Sequence, residues 1–138
     1  MVRKMLRAGV FAALGLIAMM ATYGAANTAE DKVPDISAIM TKSFKGKDSL
    51  SKSVGADAKG EMWEDAQKLA KEWSDLGAAL GKNKPPKGDS KSWDELAKKF
   101  SDNTKAIYEA ADKKDAKAIS KALSSFDCKT CHTAHKGS

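Results

Sequence analysis

The sequence predicts an all-α domain, an antiparallel four-helix bundle behind a short leader, and three observations predict it. Ala, Lys, Leu, Asp and Glu dominate while Val, Ile and Tyr are scarce, a mixture that favours helix over sheet. Apolar residues recur at steps of three and four over long stretches, and no stretch alternates with the period of two that a half-buried strand needs. The length of 138 residues, with 42% hydrophobic residues and only 3 Pro, suits one globular domain and excludes a doubly wound enzyme with a second domain.

The N-terminus reads as a secretory signal peptide over residues 1–26. Arg3, Lys4 and Arg7 form a basic head, Ala8 to Met20 an apolar run, and Gly24-Ala25-Ala26 a small-residue cleavage region. The rival reading is a retained anchor, because Ala8 to Ala26 is just long enough to cross a bilayer. Gly9 and Gly15 interrupt the run, and small residues end it, which favours cleavage near Ala26. The full chain has 24 basic and 18 acidic residues; losing the three basic residues of the leader lowers the formal charge from +6 to +3. The expected location is periplasmic or otherwise exported.

Residues 27–138 form the expected domain. After an extended lead-in, Pro34 suits the start of a helix from Asp35 to Lys45, carrying Ile36, Ile39, Met40 and Phe44. Gly46-Lys47-Asp48 kinks it, a further helical stretch with Leu50 and Val54 follows, and Gly55-Ala56-Asp57 reads as a boundary. The second helix is the cleanest, since Met62, Ala66, Leu69, Trp73, Leu76 and Leu80 form one stripe that ends at the Gly81 to Gly88 loop. Ser92-Trp93-Asp94-Glu95 has the capping-box pattern at the head of a third helix, whose stripe is Trp93, Leu96, Phe100, Thr104, Ile107 and Ala111. Beyond a charged turn at Asp112 to Asp115, Ala116, Ile119, Leu123 and Phe126 describe a fourth helix running into the C-terminus.

That helix leads to Cys128-Lys129-Thr130-Cys131-His132, which holds both cysteines of the chain. C-x-x-C-H is the attachment signature of c-type haem. Two thiols about one helical turn apart can join the two vinyl groups on one porphyrin edge, and the adjacent imidazole projects over the ring towards iron. Covalent attachment also suits an exported protein, which would lose a dissociable cofactor. Three other readings compete. A Cys128–Cys131 disulfide would close only a tiny loop and stabilise little. A thioredoxin-like pair needs a strand–loop–helix setting with the cysteines opening the helix, whereas here the expected helix ends on them. Zinc has four candidate ligands in Cys128, Cys131, His132 and His135, but one helical turn does not wrap four ligands tetrahedrally around one ion.

With a leader, four helices and this motif at the extreme C-terminus, the chain resembles the class II c-type cytochromes, the cytochrome c-prime group and its low-spin relatives. Class I cytochromes carry the motif near the N-terminus. The resemblance implies one haem c per chain, Cys128 and Cys131 as thioether attachment points, and His132 as the proximal iron ligand. In the low-spin relatives a Met of the first helix binds iron from the other side, and Met40 within Ile39-Met40-Thr41-Lys42 is its counterpart. Cytochrome c-prime lacks that Met and leaves the face open.

Topology carries a separate argument for Met40. In an up-down-up-down bundle the start of the first helix lies level with the end of the fourth, so Met40 and His132 share one end. Met62 lies at the other. The competing reading makes Met40 ordinary core beside Ile36, Ile39 and Phe44, since Met fills core gaps readily. The same end should gather Ile36, Phe44, Leu76, Leu80, Trp93, Leu96 and Phe126.

The leading expectation is an electron carrier with His132 and Met40 closing both axial positions. The alternative is a five-coordinate, cytochrome c-prime-like gas-binding protein, and a third reading is a zinc- or disulfide-stapled helical module without haem. No Ser/His/Asp set is visible, so an enzyme is not expected. The partners implied are redox proteins, which Lys129 and Lys136 would help steer, and the fold is also compatible with a homodimer. Nucleic acid does not suit so modest a charge, and no stable membrane insertion is expected after cleavage.

Overall fold

The computed structural model describes residues 32–138, so the leader read over 1–26 lies outside the described residues. These fold into six helices: α1 (Ile36–Phe44), α2 (Leu50–Lys59), α3 (Trp63–Leu80), α4 (Ser90–Asp112), α5 (Ala116–Leu123) and α6 (Cys128–His135). No strand occurs among the described residues, and none of their helices is long and apolar enough to cross a membrane.

Four of the six helices start the same way. Asp35, Asp89, Asp115 and Asp127 each stand one residue before a helix and accept a hydrogen bond from the backbone N–H three positions on, at 2.7, 2.9, 2.9 and 3.1 Å. Each carboxylate satisfies a donor that the first turn leaves without an intrahelical partner. The third expected helix therefore starts earlier than its Ser92 capping box suggested, and Asp89 caps it instead.

Two expected breaks fall elsewhere. Gly55-Ala56-Asp57 is not a boundary, because α2 continues through it to Lys59. A Cβ on Gly55 would sit 3.2 Å from Leu123 Cδ1, so the glycine serves the close approach of α5 rather than a turn. The expected fourth helix is in fact two, separated by Ser124–Asp127. The Ser124 and Ser125 hydroxyls both donate to the Lys121 carbonyl at 2.8 Å, closing α5, and Asp127 opens α6. The Gly46 interruption is a full break as well, with Gly46 at φ +87° between α1 and α2.

Packing closes a ring, with α2 on α3, α3 on α4, α4 on α5 and α5 back on α2. Leu50, Val54, Trp73, Ile107 and Ile119 fill its centre. The two short terminal helices stand at one end. There a smaller cluster of Ile39, Leu80, Trp93 and Ala97 joins α1, α3 and α4, with Met40 and Cys131 packed on it. Asn83 ties this end together: its side-chain amide donates to the Pro34 and Ala79 carbonyls at 3.0 and 3.1 Å, and its own carbonyl accepts from Trp93 Nε1 at 2.8 Å. These bonds hold the start of α1, the end of α3 and the start of α4 in register.

Candidate functional site

At that end lies a cavity of about 400 Å3, and Met40, Cys128, Cys131 and His132 all line it. Met40 and His132, placed at one end by the sequence argument, are thus both on the wall of this cavity. Of the seven hydrophobic residues expected at this end, Phe44, Leu80, Trp93, Leu96 and Phe126 line the cavity as well. Ile36 and Leu76 sit behind its wall, packed on the Ile39, Leu80 and Trp93 cluster.

The floor is aromatic. Phe44, Phe100 and Phe126 meet with ring centroids 5.3 to 6.2 Å apart, and Phe126 stacks on Trp73 at 5.3 Å with 24° between planes. Trp73 is fully buried beneath them, and its Nε1 donates to Ser43 Oγ at 3.0 Å. Aromatic pairs of this geometry contribute beyond their buried area, about 0.5–1.5 kcal/mol each. Phe100 was missed from the expected cavity, although it continues the Trp93 and Leu96 stripe and was legible on that ground.

The remaining lining residues, Lys99, Asp102, Asn103, Ser125 and Asp127, are polar and had no signal in the hydrophobic pattern. Asp102 pairs with Lys98 at 2.6 Å, and Asn103 donates to the Ala122 carbonyl at 3.1 Å, linking α4 to the end of α5. Hydrogen bonding from Thr130 holds the Asp127 carboxyl below the usual carboxylate range. Burial pushes the Cys131 thiol up, with Cys128 and Asp127 adding to the effect.

The two cysteines do not end a helix, as expected from sequence; they begin α6, with Cys128 its first residue. That removes one argument against a thioredoxin-like pair, yet another stands: no strand precedes α6 among the described residues.

His135, the fourth candidate zinc ligand, does not line the cavity. It is 2% exposed, lies edge-on to Trp93 at 5.5 Å, and spends both ring nitrogens on protein partners. Nδ1 donates to the Lys87 carbonyl at 3.0 Å, and Nε2 lies 3.1 Å from Ser92 Oγ. Among the described residues no three or more Cys, His, Asp or Glu side chains gather as a metal site.

The Ser92–His135 contact brings together a serine and a histidine that the sequence reading had not paired. Its spacing is that of a nucleophile and its base, but the imidazole is buried and neither residue lines the cavity. With its other nitrogen on the Lys87 carbonyl, the imidazole ties α6 to the α3–α4 loop and to the first turn of α4.

No family model matches this chain, and no curated protein or solved structure matches it.

Proposed function

We propose that the protein is an exported monohaem c-type cytochrome that carries electrons, with the haem held in the cavity between α1, α4 and α6. The observation that carries the reading is the meeting of Cys128, Cys131, His132 and Met40 on one apolar, aromatic-floored cavity. Its volume falls within the roughly 300–1,000 Å3 common for cofactor sites. The donor set fits the group: two thiols one turn apart, an imidazole beside them, and a thioether from another helix.

In this reading Cys128 and Cys131 hold the cofactor through thioethers, His132 is the proximal iron ligand, and Met40 is the distal one. The bound group would supply a one-electron ferric–ferrous couple. Phe44, Phe100 and Phe126 would give the bound group an apolar floor, and with His132 and Met40 both committed to iron the group would offer no site for a substrate. The ring of helix contacts supports a four-helix bundle whose first limb is α1 with α2 and whose last is α5 with α6. The leader over 1–26 and covalent attachment agree with an exported protein serving redox partners.

Mass spectrometry of the denatured mature protein tests the reading. One haem should remain on the chain and its N-terminus should fall between Gly24 and Glu30; a bare peptide mass refutes the haem. Cys128→Ser or Cys131→Ser should weaken or abolish retention, whereas His132→Ala should leave the thioethers in place and remove the proximal bond.

A further inference from the structure

The buried imidazole of His135 has no role in the reading above, although it stands one turn beyond His132 on the same short helix. At about 100° per residue, Cys131, His135, Cys128 and His132 fall in that order across roughly 100° of the α6 surface. His135 thus sits inside the arc that the cavity-lining residues span. A rotation of α6 by about 100° in the direction that moves His132 away from Cys128 would carry it out of that arc.

The helix has eight residues, and α4 is the helix it packs on. The Asp127 cap and the packing of Cys131 on the Ile39, Leu80 and Trp93 cluster hold its first turn and its middle, and neither reaches its last turn. His135 grips two other segments at once, the Lys87 carbonyl in the α3–α4 loop and Ser92 in the first turn of α4. Trp93 closes one side of the ring. Gly88 gives it room, since a Cβ there would lie 2.8 Å from Nδ1.

We propose that His135 is the positioning residue of the site, its bonds to Lys87 and Ser92 fixing the rotation of α6 so that Cys128, Cys131 and His132 face the cavity. The consequence at His132 rests on the haem reading; the latch itself rests on the protein contacts alone. Breaking one such bond should raise the opening of α6 by about two- to tenfold, and breaking both by more.

The test uses the mature full-length protein and four substitutions. His135→Phe keeps a ring beside Trp93 but removes both bonds; His135→Gln keeps an amide near the Nε2 position. Ser92→Ala removes one bond from outside α6, and Ser92→Thr retains the hydroxyl. Hydrogen exchange should quicken in residues 128–136 for His135→Phe and Ser92→Ala and be rescued in part by Ser92→Thr and His135→Gln. In haem-loaded protein the same variants should keep the thioethers yet show a mixed spin state and a shifted reduction potential, because the imidazole of His132 is no longer held. Unchanged exchange in His135→Phe overturns the latch. If that variant does not fold, unchanged exchange in Ser92→Ala overturns it equally. Faster exchange with an unaltered spectrum and potential overturns the positioning role. A wild-type protein without haem refutes the cytochrome reading, while the exchange arm still decides the latch.

Discussion

Met40 on α1 and His132 on α6 line the same cavity, although they stand near the two ends of the described chain. Ile39, its neighbour, is fully buried and takes the core position on α1, whereas Met40 is only half-buried and borders the cavity. Met40 is both packed on the cluster that holds Ile39 and exposed to the cavity, so its position is compatible with core filler and with ligand alike. Ile39 packs with Leu80 and Trp93, and the thioether of Met40 borders the space that His132 shares.

Met40→Ala separates the electron carrier from the gas binder. With Met40 on the iron, wild-type protein should be low-spin and show a weak far-red charge-transfer band, and should bind carbon monoxide slowly. The substitution should then give a high-spin iron that binds the gas quickly, at a lower reduction potential, because a soft thioether favours the ferrous state. A wild-type spectrum already five-coordinate and unchanged by Met40→Ala would establish the open-faced alternative. Some stability should be lost in either case, as core volume goes with the side chain, so the spectrum decides and the melting point does not.

Trp73→Ala should be the most damaging change in the aromatic floor. The indole is fully buried, stacks on Phe126 and meets Phe44 edge-on at 5.8 Å. Truncating a buried Trp costs about 3–5 kcal/mol, a large share of the ~5–15 kcal/mol that holds a typical domain folded. Trp73→Phe keeps most of the apolar area but removes the donor to Ser43, which is itself buried. Its cost should be nearer 1–2 kcal/mol, roughly that of a buried hydrogen bond and some volume. Denaturant midpoints of the two variants check the order.

The helix interiors were legible because their stripes keep the period of 3.6 residues, and the cavity wall because those stripes point to one end. Helix ends were less so. Ala116, Ile119, Leu123 and Phe126 keep helical spacing across the break at Ser124, which local hydroxyl bonds to Lys121 create without disturbing the pattern. Ser92 reads as the cap of α4, but Asp89 takes that place and the Ser92 hydroxyl meets His135, a partner far along the chain. The Gly55 error has the same character: a glycine that reads as a turn signal serves packing against Leu123, a contact no local window contains. The motif Cys128 to His132 reads as the end of a helix, and its place at the start of a separate one was not legible.

Asp127 should make the hold on α6 sensitive to acid. Its carboxyl titrates below the ordinary 3.8 because Thr130 hydrogen-bonds the charged form. A lowered folded-state value means the contribution is present above the unfolded value and is lost as pH falls through the folded one. Protection in α6, taken relative to the intrinsic exchange rate at each pH, should therefore fall below about pH 4, on top of any general loss of stability. Asp127→Asn should keep the cap at neutral pH, since Asn is as good a cap, and flatten this part of the acid response. An Asn variant with the wild-type acid limb would place the sensitivity elsewhere.

Gly46 and Gly88 provide a matched pair for the seat of α6. Both adopt left-handed backbone, at φ +87° and +88°, where any other residue is strained. Around Gly46 nothing lies within 4 Å of an added Cβ. At Gly88 the same atom would meet the Ala134 carbonyl at 2.6 Å and His135 Nδ1 at 2.8 Å. Gly46→Ala should therefore cost only the backbone strain, about 1–3 kcal/mol, and leave α6 as protected as in wild type. Gly88→Ala carries a similar strain and must also push α6 outward, because the obstructing atoms are a helix carbonyl and a buried ring rather than a flexible side-chain tip. It should be the less stable of the two in denaturant, with fast exchange concentrated in residues 128–136. Equal losses in the two variants, with α6 equally protected, would mean that α6 yields at no cost and that its seat against the Gly88 loop is loose.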